Sequence, residues 1–161
     1  MMDAQAFTAL AKQYTDMVLR LAFARLGNRA DAEDVTQNVF LALLQSDKAF
    51  ESDAHLRHWL VRVTLNECRK HWRSPWSKRE ALSEDSRFLP AEAPGSVGLY
   101  HAIMELDAAL RTVIVLHYCE GYTIAEISRL LHIPSGTVGT RLKRAREKLK
   151  AYLEEAEDDE R

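Results

Sequence analysis

Apolar side chains in the first part of the chain fall at Phe7, Leu10, Tyr14, Met17, Val18, Leu21 and Leu26, spaced mostly three or four positions apart. That period predicts an amphipathic helix, and Gly27 followed by Asn28 supplies its C-terminal stop. Asp31 is placed to cap a second helix running from Ala32 to about Gln45, with Glu33 and Asp34 in a first turn where the helix dipole favours acids. Val35, Val39 and Leu43 face its core, while Asp34, Gln37 and Asn38 are left outside. A third helix is predicted from Ser52 and Asp53 to about Arg73. At about 100° per residue, His55, Arg62, Asn66, Arg69 and Arg73 share a stripe about 60° wide, opposite Leu56, Leu60, Val63 and Thr64. Such a basic ridge suits a phosphate backbone, and the amide of Asn66 suits a base edge. Trp59 belongs to the core; Trp72 and Trp76 either pack inward or stack on unpaired bases.

Toward the C-terminus, Thr123 with Glu126 three residues on forms a capping box ahead of the apolar face Ile127, Leu130 and Leu131. A corner at Pro134 follows, where Ser135 is placed as a second N-cap. The next helix has its seam at Val138, Leu142, Ala145 and Leu149. Opposite that seam fall Thr137, Thr140, Lys143 and Arg144, with Arg141 and Arg146 on the shoulders. Two capped helices meeting at a tight corner, the second dense in cations, have the build of a helix-turn-helix that lays a basic helix in the DNA major groove. Outward residues then meet base edges and shoulder cations meet phosphates. A lone basic helix would more simply be a solvated face; the capped partner helix and the corner argue against that here.

Charge sharpens this picture. The net charge of the 161 residues is only −2, yet residues 57–80 hold seven Lys/Arg against two Glu, a net of +5. Residues 81–107 have a net of −4, residues 108–150 a net of +5 and residues 151–161 a net of −5. Local focusing of cations lets a chain with a pI near 6.3 bind a polyanion. The acidic end, Glu154 through Glu160, is a solubilising terminus or a competitor of DNA for the preceding basic helix. Three of the four prolines lie between Ser74 and Ser96, in a stretch without apolar period that reads as a linker.

Several chemistries are disfavoured. No apolar run approaches the roughly 18 residues of a membrane span, and the first residues lack a signal peptide's basic and apolar blocks, so a cytoplasmic chain without direct membrane insertion is expected. Cys68 and Cys119 stand apart in helices, outside any CxxC or Cys/His array, and are expected as reduced, mostly buried thiols. His55 and His58 have no third ligand spaced with them. With no metal site, catalytic nucleophile or phosphate loop, the chain is expected to need no cofactor and not to be an enzyme.

Four blocks, DAEDVTQNVFLAL from Asp31, HLRHWLVRVTLN from His55, EGYTIAEI from Glu120 and GTVGTRLKRAREKL from Gly136, together resemble the extracytoplasmic-function (ECF) sigma factors of bacterial RNA polymerase, in the family's order. The resemblance implies an all-α chain of two small helical domains on a flexible linker. Residues 1–74 would be the region 2 domain, 75–96 the linker, 97–155 the region 4 helix-turn-helix domain and 156–161 an acidic tail. It implies that Asp34, Gln37 and Asn38 meet core RNA polymerase. Asn66 would lie near a base captured from the melted strand of promoter DNA, with Arg62, Arg69 and Arg73 on the backbone. Thr140, Arg141, Lys143 and Arg144 match the helix that reads the upstream element, and the helical faces add Thr137 and Arg146 to that DNA-binding set. A membrane-anchored anti-sigma factor is the implied regulator, and the free chain is expected to be a monomer.

Three positions depart from the family pattern. Leu106-Asp107-Ala108 lacks the usual proline, His132 stands where glycine is usual, and Gly139 replaces a frequently basic residue, which implies loose or unusual upstream recognition, or dependence on the first domain for promoter choice. Two other classes fit the residues taken alone. One is an ordinary helix-turn-helix repressor or activator binding a symmetric operator without polymerase; the other is an interaction protein whose basic helices meet an acidic partner.

Overall fold

The computed structural model describes residues 2–73 and 96–159. The expected linker up to residue 95, Trp76 within it, and the last two residues of the acidic tail lie outside the described residues. Every regular element among the described residues is a helix. The chain divides into two compact units, Met1–Leu82 and Ser83–Arg161.

In the first unit α1 (Ala4–Leu26), α2 (Arg29–Gln45) and α3 (Asp53–Arg73) each pack on the other two. Gly27 ends α1 at φ 72°, a left-handed turn that a side chain resists, and its N–H donates to the Phe23 carbonyl at 2.7 Å. The cap of α2 is Asn28 rather than Asp31: the Asn28 side-chain oxygen accepts from the Asp31 amide at 3.0 Å, so the helix begins at Arg29. Asp31 is thereby drawn into the first turn. Its carboxylate is buried 3.1 Å from Nε2 of His71, a close polar approach between α2 and the end of α3.

Val18, Leu21, Val35, Val39, Leu43, Leu60 and Val61 are wholly excluded from solvent. Burying each contributes about 1.5–3 kcal/mol. Because α3 is wedged against two helices, its buried face includes Val61, Leu65 and Cys68 beside Leu56, Leu60 and Thr64, while Val63 is half-exposed. Trp59 is half-buried, edge-on to Phe50 at 5.5 Å between centroids. Trp72 is 41% exposed, with the Arg25 guanidinium 4.4 Å from its ring centre, so a side chain of α1 already occupies a position that a stacked base would need.

In the second unit α4 (Ser96–Glu105), α5 (Ala108–Ile114) and α6 (Ile124–Leu131) each pack on the long α7 (Ser135–Asp159). Asp107 caps α5 by accepting from the Leu110 amide at 3.0 Å. Arg111, buried in the same helix, donates to the Leu106 carbonyl at 2.8 Å; burial lowers its pKa from the ordinary guanidinium value, with Asp107 opposing the shift. Beyond Ile114 the chain widens into a π-helical turn, Val115–Cys119, in which the Glu120 amide donates to the Val115 carbonyl at 3.0 Å. This turn leaves Cys119 exposed, contrary to the expectation of a buried thiol, whereas Cys68 is buried as expected.

Candidate nucleic-acid and polymerase interface

The α6–α7 corner is built by local chemistry. Thr123 and Glu126 make the full reciprocal box, with the Glu126 amide 3.1 Å from Thr123 Oγ1 and the Thr123 amide 3.0 Å from Glu126 Oε1. At the other end His132 adopts φ 58° and ψ 44°, a left-handed conformation that lets its N–H donate to the Ser128 carbonyl. The Ser128 hydroxyl donates in turn to the Ile133 carbonyl. Ser135 is the first residue of α7 and not its cap; the Pro134 carbonyl accepts from the Val138 amide at 3.2 Å, so the helix starts directly from the corner.

Buried Ile127, Leu130, Val138, Leu142 and Ala145 lock α6 and α7 into the unit's core. That fixes the rotation of α7. Thr140, Lys143 and Arg144 are exposed, Thr137 and Arg141 half-buried, and Arg146 exposed on the flank. An open concavity of about 580 Å³ is lined by Pro134, Gly136, Thr137, Thr140, Arg141 and Arg144, most of the predicted reading face. Arg146 stands outside that concavity, where its guanidinium donates to the Tyr118 hydroxyl at 3.0 Å.

On α3, Arg62 and Asn66 are exposed and Arg69 is half-buried. Arg73 is the last residue of the helix, and its side chain lies outside the described ones. His55 leaves the expected stripe in function: its Nδ1 accepts from the Glu51 amide at 3.1 Å and its ring meets Phe50, so it organises the helix start. On α2, Asp34, Gln37 and Asn38 are all exposed, and they share their face with Leu41, which is 52% exposed.

Comparison with known proteins decides between the classes left open by the residues. The Sigma-70 region 2 model matches residues 10–78 and the Sigma-70 region 4 model matches residues 96–149. The ECF RNA polymerase sigma factor SigW of Bacillus subtilis is 31% identical, over 94% of this chain and 90% of its own length. The chain belongs to the ECF sigma factors. SigE of Mycolicibacterium smegmatis is 34% identical over 89% of this sigma factor, which spans 60% of that relative's length. Among solved structures, CnrH in complex with the cytosolic domain of CnrY is 28% identical, with a TM-score of 0.62, covering 94% of this chain and 90% of that one. The sigma factor RpoE of Bartonella quintana, in complex with the anti-sigma factor NepR, shares the fold with a TM-score of 0.68 at 22% identity, covering 94% of this chain and 98% of that one.

In this sigma factor two exposed residues escaped the sequence reading. Leu41 could have been found, since it continues the row of Asp34, Gln37 and Asn38 at helical spacing and points an apolar group outward. Tyr118 carried no such signal, because the π turn shifts the register of everything after Ile114. Gly139 lies half-buried in α7, and a Cβ there would meet nothing within 4 Å.

Proposed function

We propose that this sigma factor binds core RNA polymerase through the exposed Asp34, Gln37, Asn38 face of α2 and directs promoter-specific initiation through two DNA contacts. In the region 2 unit, Asn66 receives a base from the melted strand, with Arg62, Arg69 and Arg73 on the backbone. In the region 4 unit, Thr137, Thr140, Lys143 and Arg144 face the upstream element from the major groove, with Arg141 and Arg146 on phosphates. The domain limits implied by the resemblance, with residues 75–96 as connection, belong to the same reading. The observation that carries it is the fixed rotation of α7: a buried Val138, Leu142 and Ala145 seam leaves Thr140, Lys143 and Arg144 turned to solvent beside an open concavity.

Bond-making belongs to the polymerase in this reading, and the chain contributes binding alone, without a cofactor. Work alongside polymerase places it in the cytoplasm; no helix among the described residues is long and apolar enough to cross a membrane. Regulation by an anti-sigma partner belongs to the same reading; CnrH, 28% identical, was solved in complex with the cytosolic domain of CnrY. A partner anchored in the membrane, with a cytosolic arm gripping the sigma factor, fits that precedent.

Runoff transcription tests the proposal. Core polymerase with and without the chain is offered a pool of genomic fragments, and transcript 5′ ends are sequenced. Start sites that appear only with the chain and share an upstream sequence are expected; an identical set of ends in both reactions would refute the function.

A further inference from the structure

The π-helical turn that follows α5 carries Tyr118 to the flank of α7. Tyr118 is 56% exposed, and its hydroxyl oxygen accepts from Arg146 Nη1 at 3.0 Å, joining positions 28 residues apart. The ring is also held from its own side. His117 packs on it edge-on, with centroids 4.8 Å apart and planes at 84°, and Nδ1 of His117 lies 2.8 Å from the Tyr122 carbonyl. Tyr122 is buried, and its amide donates to the Leu116 carbonyl at 3.0 Å. A chain of short contacts therefore runs from a buried residue to an exposed arginine.

Such bracing is unusual for a surface cation, whose side chain ordinarily samples many rotamers. Arg146 stands in a row with Lys143 and Lys150, spaced three and four residues apart on α7, and all three are exposed. Because the tyrosine oxygen serves as acceptor toward Arg146, its own O–H is left to donate. The guanidinium keeps further N–H donors of its own. Two donors of different kinds are thus held about a hydrogen-bond length apart at the edge of a basic row, which suits the adjacent oxygens of one phosphate. Holding the arginine in place beforehand lowers the entropy lost when it binds.

We infer that Tyr118 and Arg146 form a single phosphate clamp on the DNA backbone beside the helix-turn-helix, with Tyr118 as a DNA-contacting residue. The inference rests on the reading of α7 as a DNA-binding helix. The full chain, alone and assembled with core polymerase, is titrated with random-sequence duplex across a salt series. Tyr118→Phe keeps the ring and removes only the hydroxyl; affinity should fall about fivefold at every salt concentration. Arg146→Ala should also weaken binding and flatten the slope of log affinity against log salt by about 0.9. Since both groups hold one phosphate, the double variant should lose less than the product of the two single losses.

Wild-type or tighter binding by Tyr118→Phe, or losses that simply multiply, would overturn the clamp. A change in melting temperature with unaltered affinity would overturn it too, since packing alone would then explain the contact. Lys143→Ala and Arg144→Ala separate the two levels. If they weaken binding while Tyr118→Phe does not, the clamp alone fails; if no α7 cation matters, the DNA-binding reading of α7 fails with it.

Discussion

At the scale of single residues, two positions hold conformations that other side chains would suit better. His132 is the one non-glycine with positive φ among the described residues. A Cβ in that left-handed well costs about 1 kcal/mol, so His132→Gly should stabilise the second unit by that order. Gly139 is the converse, a helix-interior glycine with open space where a Cβ would go, and Gly139→Ala should add about 0.8–1 kcal/mol. Each change should raise the melting temperature by roughly 4–8 °C in a circular dichroism scan, the range for a domain of 60–100 residues. A fall in either variant would show that the corner or the helix requires the native residue for some other contact. The thiols make a second test. Burial pushes the Cys68 thiol up to about 12, so at pH 8 it holds almost no thiolate, whereas Cys119 is exposed. Alkylation of the native chain should therefore stop at one group, on Cys119, with Cys68 reacting only after denaturation. Rapid double labelling of the native chain would contradict the packing around α3.

At the scale of elements, the faces of α7 make opposite predictions for neighbouring arginines. Arg144 lines the concavity and Arg146 stands on the flank. Arg144→Ala should change which upstream sequences are preferred, and Arg146→Ala should weaken all duplexes about equally. Binding measured against a promoter fragment and a scrambled one resolves this; equal loss of both in both variants would mean the faces are misassigned. The seam of α7 was legible in its sequence because the helix buries a single stripe, at Val138, Leu142 and Ala145. The same rule served α3 less well, where two neighbours bury Val61 and Leu65 in addition to Leu56 and Leu60. Caps followed a similar logic. Asp107 and Thr123 were readable because nothing nearby competes, while Asn28 took the cap from Asp31 and Pro134 took the position ahead of Ser135. The π turn was not readable at all, since hydrophobic period carries no trace of a single widened turn. Length of α7 also revises one expectation. The helix continues to Asp159, and at about 1.5 Å per residue Glu154 stands roughly 21 Å along the axis from Thr140. Fold-back of the acidic end onto the reading face is excluded while that helix persists.

At the scale of the whole molecule, two compact helical units carry distinct exposed polar faces: α2 and α3 in the first, α7 in the second. A repressor would need one DNA-reading helix and a second copy of itself to match a symmetric site. An initiation factor needs one unit on the upstream duplex and another at the point of melting, both delivered by polymerase. The resemblance in the four sequence blocks implied two helical units, because the blocks cover α2, α3 and the α6–α7 corner together. The approach of Asp31 to His71 was not visible, since it brings together residues 40 positions apart through a fold. The most direct test of two-unit promoter engagement is a footprint of the holoenzyme on a start site found by transcript sequencing, with permanganate marking unpaired thymines. Two protected blocks are predicted, with melting at the downstream one; Arg144→Ala should erase only the upstream block, and Asn66→Ala only the permanganate reactivity. A single symmetric block, protected by the chain without polymerase and accompanied by no melting, would contradict it.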